Sequence, residues 1–189
     1  MPLSISVLGA GSWGTALAIQ AARNGCPTLL WSHNPSHAAS IDKDNENQRY
    51  LPNIKLPDSL SVTDNLEMAA KFSSIILISV PSHAFKDTLV KLQPFVSQDT
   101  QIAWATKGFN PDDGLLLNKL VENTLPDNKH IAVLSGPTFA QEVATGLPTA
   151  ITVASTSIIF SEQLSTILHN HRFRTSTSTD IIGVQVGGA

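Results

Sequence analysis

The stretch Gly9-Ala10-Gly11-Ser12-Trp13-Gly14 decides how the rest of this chain is interpreted. An apolar run precedes it, and the alanine-rich residues 15–22 follow it. Between a strand and a helix, the pattern G-x-G-x-x-G permits a tight turn, a close approach of the main chain to a pyrophosphate, and close packing of helix on strand. The amides at the start of the helix then face the anion. The sequence therefore predicts a dinucleotide site, with an ordinary structural turn as the alternative.

Composition restricts the classes of partner. The 189 residues are 42% hydrophobic and 14% charged, with a net charge of −3, which is typical of a globular domain. No basic patch is present to suit a nucleic acid or an anionic membrane surface. No apolar stretch approaches the roughly 20 residues that span a bilayer. We therefore expect no nucleic-acid partner and no stable membrane insertion. The single cysteine, Cys26, rules out an intramolecular disulfide and favours a cytoplasmic location.

Strand-like and helix-like segments alternate along the chain, which is typical of a parallel sheet covered on both faces. Seven strands are predicted, over residues 3–8, 28–31, 75–80, 102–106, 131–134, 149–154 and 173–176. The sequence thus predicts an α/β fold of the Rossmann type, a doubly wound, mostly parallel sheet with helices on both faces.

Between the strands, three local interpretations can be checked. Residues 32–58 are interpreted as a short helix and then an irregular excursion. Thr63 and Asp64 are expected to cap a helix that ends near Lys71. The carboxylates of Asp112 and Asp113 are expected to lead a helix over residues 115–123, where they would favour its positive end.

The predicted domain boundary lies where the alternation of strand-like and helix-like segments ends, after the last predicted strand. Residues 1–179 are predicted to form one dinucleotide-binding domain. Residues 180–189 are interpreted as the start of a further helix, with Asp180 as its cap.

Ligands of doubly wound sheets bind at the carboxyl ends of the strands. After the second strand come Ser32 and His33, where NAD-selective sites usually carry an acid roughly 20 residues beyond the glycine turn. Since no acid is present, we expect NAD or NADP to be accepted. His33 is expected to contact the adenosine end of the cofactor, with a solvent-facing loop residue as the alternative. Trp13 is left open between covering the cofactor and packing on the sheet.

Two later strand ends point to a second anion. Lys107, beside Gly108, suits an anionic or carbonyl-bearing substrate, with a solvated surface lysine as the alternative. The stretch Ser135-Gly136-Pro137-Thr138 opens a helix with free amides and hydroxyls, with a simple helix cap by Thr138 as the alternative. Two anion sites at one sheet edge indicate two phosphorylated ligands.

Metal chemistry has no support in the sequence. The six histidines show no H-E-x-x-H spacing, and one cysteine cannot build a zinc site. We therefore expect no bound metal.

Six segments together resemble one known family. They are Gly9-Ala10-Gly11-Ser12-Trp13-Gly14-Thr15-Ala16, Val80-Pro81-Ser82-His83, Trp104-Ala105-Thr106-Lys107-Gly108, Ser135-Gly136-Pro137-Thr138-Phe139-Ala140, Gly146-Leu147-Pro148-Thr149-Ala150 and Gly183-Val184-Gln185-Val186-Gly187-Gly188-Ala189. In this order they resemble the N-terminal cofactor-binding domain of bacterial NAD(P)-dependent sn-glycerol-3-phosphate dehydrogenase, an oxidoreductase. The likeness covers essentially the whole chain.

The resemblance implies reversible hydride transfer between NAD(P)H and dihydroxyacetone phosphate, giving sn-glycerol 3-phosphate for phospholipid synthesis. The cofactor-binding residues that the motif and the resemblance imply are Gly9, Gly11, Ser12, Trp13, Gly14, His33, Lys107 and Ala140. The implied substrate-binding residues are Lys107, Gly136 and Thr138, with Lys107 as the catalytic-site residue that positions the substrate.

The departure from the family lies at Ala189. In the family, Gly-Gly-Ala is followed within two residues by the general acid–base lysine, and then by an all-helical substrate domain. We therefore expect these 189 residues to bind the cofactor but to be largely inactive. The alternatives are another Rossmann-fold hydroxy-acid or sugar-phosphate dehydrogenase, and a non-enzymatic dinucleotide-sensing module. The sequence leaves a homodimer open.

Overall fold

The structure, a computed structural model, describes residues 3–128 and 130–188. The predicted helix end at Ala189 and the first two residues of the predicted domain lie outside them. Strands and helices alternate along the chain. The strands are β1 (Ile5–Leu8), β2 (Thr28–Trp31), β3 (Leu60–Thr63), β4 (Ile75–Ile78), β5 (Gln101–Trp104), β6 (Ile131–Ser135), β7 (Thr149–Ser155) and β8 (Phe173–Ser178). The helices are α1 (Ser12–Arg23), α2 (Pro35–Asp44), α3 (Leu66–Phe72), α4 (Ser82–Leu92), α5 (Leu117–Thr124), α6 (Ala140–Thr145), α7 (Ile158–Leu168) and α8 (Ile181–Gly187).

All eight strands form one sheet in the order β3-β2-β1-β4-β5-β6-β7-β8. The strands from β3 to β6 pair in parallel, β7 runs antiparallel to β6, and β8 is parallel to β7. Val7 of β1 lies between Leu30 of β2 and Leu77 of β4. The strand order therefore reverses beside β1, and this switch opens a crevice at the carboxyl ends of the strands.

Successive side chains of the central strands point to opposite faces of the sheet, as the pleat requires. Val7 and Leu77 pack in a core beneath α1, α2, α6 and α7. Leu8 and Ile78 pack in a second core beneath α3, α4, α5 and α8. Both faces are thus covered, and the predicted fold class is confirmed. Within residues 3–128 and 130–188, no helix is long and apolar enough to cross a bilayer.

The irregular excursion predicted before Asp58 is followed by a strand that the sequence analysis missed. Strand β3 pairs only with β2, at the edge of the sheet, where Leu60 lies opposite Thr28. The next helix, α3, begins at Leu66, and its first turn is capped by the Asn65 side chain, which accepts from the Met68 amide at 2.9 Å. The predicted cap at Thr63 and Asp64 was therefore wrong, because Thr63 ends β3 and the helix starts later.

The predicted role of Asp113 was also wrong. Its carboxylate accepts from the Leu115 amide at 2.9 Å and from Asn110 Nδ2 at 2.7 Å, and so closes a turn ahead of α5. These two hydrogen bonds lower the pKa of Asp113, and the bond from the Leu115 amide has the larger effect. Helix α5 itself begins only at Leu117.

The last helix packs on the sheet domain. The Asp180 side chain accepts from the Gly183 amide at 2.8 Å, which confirms the predicted cap. Gln185 is buried, and it forms two hydrogen bonds with Asn118 at the start of α5. Helix α8 is therefore fastened to the second core, and the domain boundary at residue 180 stays a prediction.

Candidate functional site

The glycine turn joins β1 to α1, and its three glycines have different surroundings. Gly9 has a φ of +120°, and a β-carbon there would lie 2.5 Å from the Ser79 carbonyl oxygen. A β-carbon on Gly14 would overlap the Gly9 carbonyl oxygen. A β-carbon on Gly11 would meet no described atom within 4 Å. The first and third glycines are thus required by the protein itself, while the second faces open space.

Helix α1 presents an uncapped N-terminus at this open space. Gly11 is its N-cap, and neither a side-chain cap nor an acidic residue occupies the first turn of this helix in the described structure. Uncapped amides and the positive end of the helix dipole favour an anion. The Ser12 side chain is exposed there. The start of α1 can therefore hold a phosphate group on its main chain.

A cleft of about 390 Å³ crosses the carboxyl ends of the strands at this point. It brings together six of the predicted site residues, from the glycine turn, the end of β5 and the start of α6. These are Gly11, Ser12, Trp13, Lys107, Thr138 and Ala140. Residues that are far apart in sequence thus share one cavity, as the rule about strand ends predicts.

Two buried polar atoms in the cleft lining have no hydrogen-bond partner within the described chain. They are Trp13 Nε1 and Thr138 Oγ1. A buried polar group left without a partner costs about 1–3 kcal/mol. Two further unpartnered atoms, Trp104 Nε1 and Thr149 Oγ1, lie outside the cleft lining, so the pair in the cleft supports a ligand site only together with the uncapped helix start. Thr138 does not cap α6, whose N-cap is Phe139. The alternative that Thr138 is a simple helix cap was therefore wrong.

Trp13 combines the two interpretations that the sequence left open. Its ring is partly buried and packs against the first core. It also lines the cleft, and its Nε1 has no acceptor within the described chain. Trp13 is thus at once a packing residue and one wall of the cleft.

Lys107 lies exposed shortly after the end of β5. Thr106 Oγ1 donates to the Val80 carbonyl oxygen at 2.8 Å and ties this strand end to that of β4. Gly108 follows with a φ of +90°, which turns the chain sharply. Among the described residues that line the cleft, Lys107 is the one titratable side chain, and no carboxylate of the described chain lies within ion-pair distance of it. Its ammonium group is available to an anionic ligand.

Four predicted residues lie outside the cleft lining, namely Gly9 and Gly14 of the glycine turn, His33 and Gly136. His33 is exposed after β2, with its ring 6.4 Å from that of Trp31. A β-carbon on Gly136 would lie 2.7 Å from the Ala150 carbonyl oxygen, so the adjacent strand β7 requires this glycine. Contacts of His33 with the cofactor and of Gly136 with the substrate stay predictions.

Six residues of the cleft lining were not among the predicted site residues, namely Ser79, Val80, Pro81, Ala105, Thr106 and Phe139. Strand β4 ends at Ile78, two residues earlier than predicted, which makes Ser79 the first residue beyond the strand. Phe139 is 71% exposed and stands beside the unpartnered Thr138. Exposure is not visible in a sequence, so the signal for Phe139 was its place in the segment 135–140, which the resemblance had already singled out.

The cleft fits a dinucleotide by its own geometry. Gly11 leaves space free of side chains at an uncapped helix start, and Trp13, whose buried indole N–H has no partner within the described chain, lines the same cavity. A family model described as NAD-dependent glycerol-3-phosphate dehydrogenase N-terminus matches residues 4–160. The chain belongs to the NAD-dependent glycerol-3-phosphate dehydrogenase family. The resemblance predicted from the sequence is thereby confirmed.

Members of this family with curated names match nearly the whole chain. A glycerol-3-phosphate dehydrogenase (NAD(P)+) of Aeromonas hydrophila is 51% identical over 188 residues, which cover 99% of this chain and 56% of the relative. One from Methylococcus capsulatus is 50% identical over 186 residues, with 98% and 56% covered. A crystal structure of glycerol-3-phosphate dehydrogenase from Coxiella burnetii superimposes with a TM-score of 0.94 at 40% identity, covering 99% of this chain and 57% of that one. The chain thus spans about half the length of these glycerol-3-phosphate dehydrogenases.

Proposed function

We propose that this chain forms the cofactor-binding part of an NAD(P)-dependent glycerol-3-phosphate dehydrogenase. The reaction is reversible hydride transfer between NAD(P)H and dihydroxyacetone phosphate, which gives sn-glycerol 3-phosphate for phospholipid synthesis in the cytoplasm. One observation carries the proposal. The uncapped start of α1 and the Lys107–Thr138 pair line the same cleft, so that two phosphorylated ligands meet in it. Family membership supports the same reaction over the other dehydrogenases considered and over a non-enzymatic sensor.

The first phosphorylated ligand is the dinucleotide. The amides at the start of α1 hold its pyrophosphate, because Gly11 lets the main chain approach without a β-carbon between them. Trp13 lines the same cleft, and its buried Nε1 is a donor without a partner in the described chain. The nicotinamide ring, when bound, supplies the hydride. Ala140, which also lines the cleft, has a side chain small enough to leave room beside the cofactor.

The end of β2 sets the choice between NAD and NADP. The Ser32 hydroxyl is buried and accepts from the Asn34 amide of its own loop, while His33 is exposed at the same sheet edge. No acid occurs in the sequence between Trp31 and Asp42 to hold the ribose hydroxyls or to repel a 2′-phosphate. We therefore infer that both cofactors bind, with His33 beside the adenosine ribose.

The second phosphorylated ligand is the substrate. The Lys107 ammonium group neutralises the phosphate and orients it, and the unpartnered Thr138 hydroxyl donates a hydrogen bond to it. The Gly136 main chain lies just ahead of Thr138 in the same loop and completes this contact. Lys107 is thus assigned to substrate positioning and not to proton transfer. The 189 residues alone are therefore expected to bind ligands with little or no turnover.

Fluorescence titration of the chain with NADH and with NADPH tests the proposal. Both cofactors should bind, and dihydroxyacetone phosphate should bind to the NADH complex. Lys107→Ala should weaken binding of dihydroxyacetone phosphate by at least about tenfold, since it removes a charge-assisted contact. The matched control is Lys91→Ala, because Lys91 is an exposed lysine in the last turn of α4. This variant should leave the affinities for NADH and for dihydroxyacetone phosphate unchanged. If neither cofactor binds, the proposed function is wrong.

A further inference from the structure

The loop between α2 and β3 carries a buried amide that contacts the glycine turn. Asn47 is fully buried, and its Nδ2 donates to the Ala10 carbonyl oxygen at 3.0 Å and to Thr15 Oγ1 at 2.7 Å. Its Oδ1 accepts from the Tyr50 amide at 3.3 Å and lies 3.0 Å from His37 Nε2. All the hydrogen-bonding groups of this side chain are thus engaged. Its amide nitrogen donates one bond to the glycine turn and one to the start of α1.

The contact with Ala10 fixes the direction of the whole network. A carbonyl oxygen can only accept, so the Asn47 nitrogen must face Ala10 and the Asn47 oxygen must face His37. His37 Nε2 is therefore the donor to Asn47. In neutral His37 the other ring nitrogen, Nδ1, then accepts from the Ser32 hydroxyl, 3.2 Å away, whose other acceptor within reach is the Asn34 carbonyl oxygen at 3.3 Å. One chain of hydrogen bonds thus runs from the end of β2 to the glycine turn.

The bond to Ala10 also orients an amide that faces the cleft. In a trans peptide the carbonyl and the following N–H point in opposite directions, and the described chain has no cis peptide bond. Because Asn47 holds the Ala10 carbonyl on the inner side of the turn, the N–H of Gly11 is turned outward. Gly11 lines the cleft, and its other side is open. Asn47 therefore controls the direction in which the N–H of Gly11 points.

We propose that Asn47 is a positioning residue for the dinucleotide, and that His37 holds Asn47 in place. The network presets the glycine turn for a pyrophosphate and couples it to the Ser32–His33 loop at the adenosine end. This inference rests on the proposed function, since it assigns the pyrophosphate to the turn. It adds two residues that contact no ligand and that act only through the main chain of Ala10 and Gly11.

Two substitutions separate the hydrogen bonds of Asn47 from its volume. Asn47→Asp keeps the acceptor for His37 and Tyr50 but places an oxygen against the Ala10 carbonyl oxygen. Asn47→Ala removes every hydrogen bond. Each should weaken NADH binding by about tenfold or more, as expected when one well-oriented hydrogen bond is lost from the ligand site. The affinity is measured by fluorescence titration at a temperature well below the thermal unfolding midpoint of every variant. Circular dichroism confirms that each variant is folded.

The matched control lies in the same loop. Asn45 has a positive φ of 48°, and its Nδ2 donates to the Leu56 carbonyl oxygen without touching the turn. Asn45→Gly suits this backbone and removes a loop hydrogen bond, so it should leave the NADH affinity unchanged. A folded Asn47→Ala variant with the affinity of the wild type would overturn the proposal, as would an equal loss in Asn45→Gly.

A second variant decides the matter if Asn47→Ala does not fold. His37→Ala leaves the bond between Asn47 and Ala10 in place and releases only the oxygen side of Asn47. About threefold weaker NADH binding supports the proposal, and unchanged binding overturns it. His37→Gln supplies another N–H donor and should restore most of the affinity, which a loss of packing alone would not allow. Failure of the wild-type chain to bind NADH or NADPH is a different outcome, because it contradicts the proposed function itself.

Discussion

Gly9 lies so close to Ser79 that a β-carbon on residue 9 would be 2.5 Å from the Ser79 carbonyl oxygen. This contact joins the glycine turn to the end of β4, the strand next to β1 in the sheet. The Ser79 amide donates back to the Leu8 carbonyl oxygen at 2.8 Å. The two strand ends that border the switch in strand order are thus held together at the floor of the cleft.

The first prediction compares Gly9 and Gly11, the first two of the three glycines of the turn. Gly9→Ala should destabilise the fold by about 2 kcal/mol or more, because it adds a backbone clash to a φ of +120°. Gly11→Ala should cost less than about 1 kcal/mol, since its φ is −75° and its β-carbon meets open space. It should nevertheless weaken NADH binding by at least about tenfold, because the methyl group occupies the approach to the pyrophosphate.

Urea unfolding and NADH titration of both variants check this pair. Equal losses of stability would contradict the division of roles between the two glycines. A Gly11→Ala variant that binds NADH like the wild type would contradict the assignment of the pyrophosphate to this turn.

The parts of the fold that the sequence predicted are those that local patterns determine. The alternation of apolar runs and helical segments indicated seven of the eight strands, and the rule about strand ends brought Ser12, Lys107 and Thr138 into one cleft. Strand β3 was missed because it is half exposed at the sheet edge, whereas the equally short β1, β2 and β4 are fully buried. Its strand conformation depends on pairing with β2, which no local pattern reports.

Long-range contacts account for what the sequence could not show at the site. Asn47 reaches Ala10 across 37 residues and Thr15 across 32, so its spacing carries no periodic pattern. Gly136 looked like a ligand-binding glycine from its neighbours in sequence. The structure adds a second reason for it, the close approach of Ala150 in the antiparallel strand β7.

The second prediction concerns the unpartnered hydroxyl of Thr138. Thr138→Val should leave the free energy of unfolding unchanged or raise it by about 1 kcal/mol, since the hydroxyl has no partner in the described chain. Binding of dihydroxyacetone phosphate to the NADH complex should weaken by about tenfold. The comparison is Thr106→Val, which breaks the 2.8 Å bond to the Val80 carbonyl oxygen and should cost about 1 kcal/mol. Equal destabilisation of both variants in urea would show that Thr138 is bonded within the protein.

The third prediction concerns pH. Burial raises the pKa of the Cys26 thiol from 9.0 to about 11. The unfolded chain therefore loses this proton first as the pH rises, so the folded state loses stability between about pH 9 and pH 11 and keeps this contribution below pH 9. Cys26→Ala removes this part of the pH dependence. The fall in unfolding free energy from about pH 8 to about pH 10.5 should be smaller in the variant, and an identical fall would argue against a buried, protonated thiol.

The fourth prediction concerns the attachment of α8 to the sheet domain. Gln185 Oε1 accepts from the backbone N–H of Asn118 at 3.2 Å, and Gln185 Nε2 donates to Asn118 Oδ1 at 3.1 Å. Both hydrogen bonds are buried. Gln185→Leu keeps the side-chain volume but leaves the backbone N–H of Asn118 buried without an acceptor. It should therefore lower the free energy of unfolding by about 2–3 kcal/mol. The neighbouring Val186 is 53% exposed, and Val186→Ala should cost less than about 0.5 kcal/mol. Urea unfolding measures both, and a small loss in Gln185→Leu would mean that apolar packing of Ile181, and not the amide pair, holds this helix to the core.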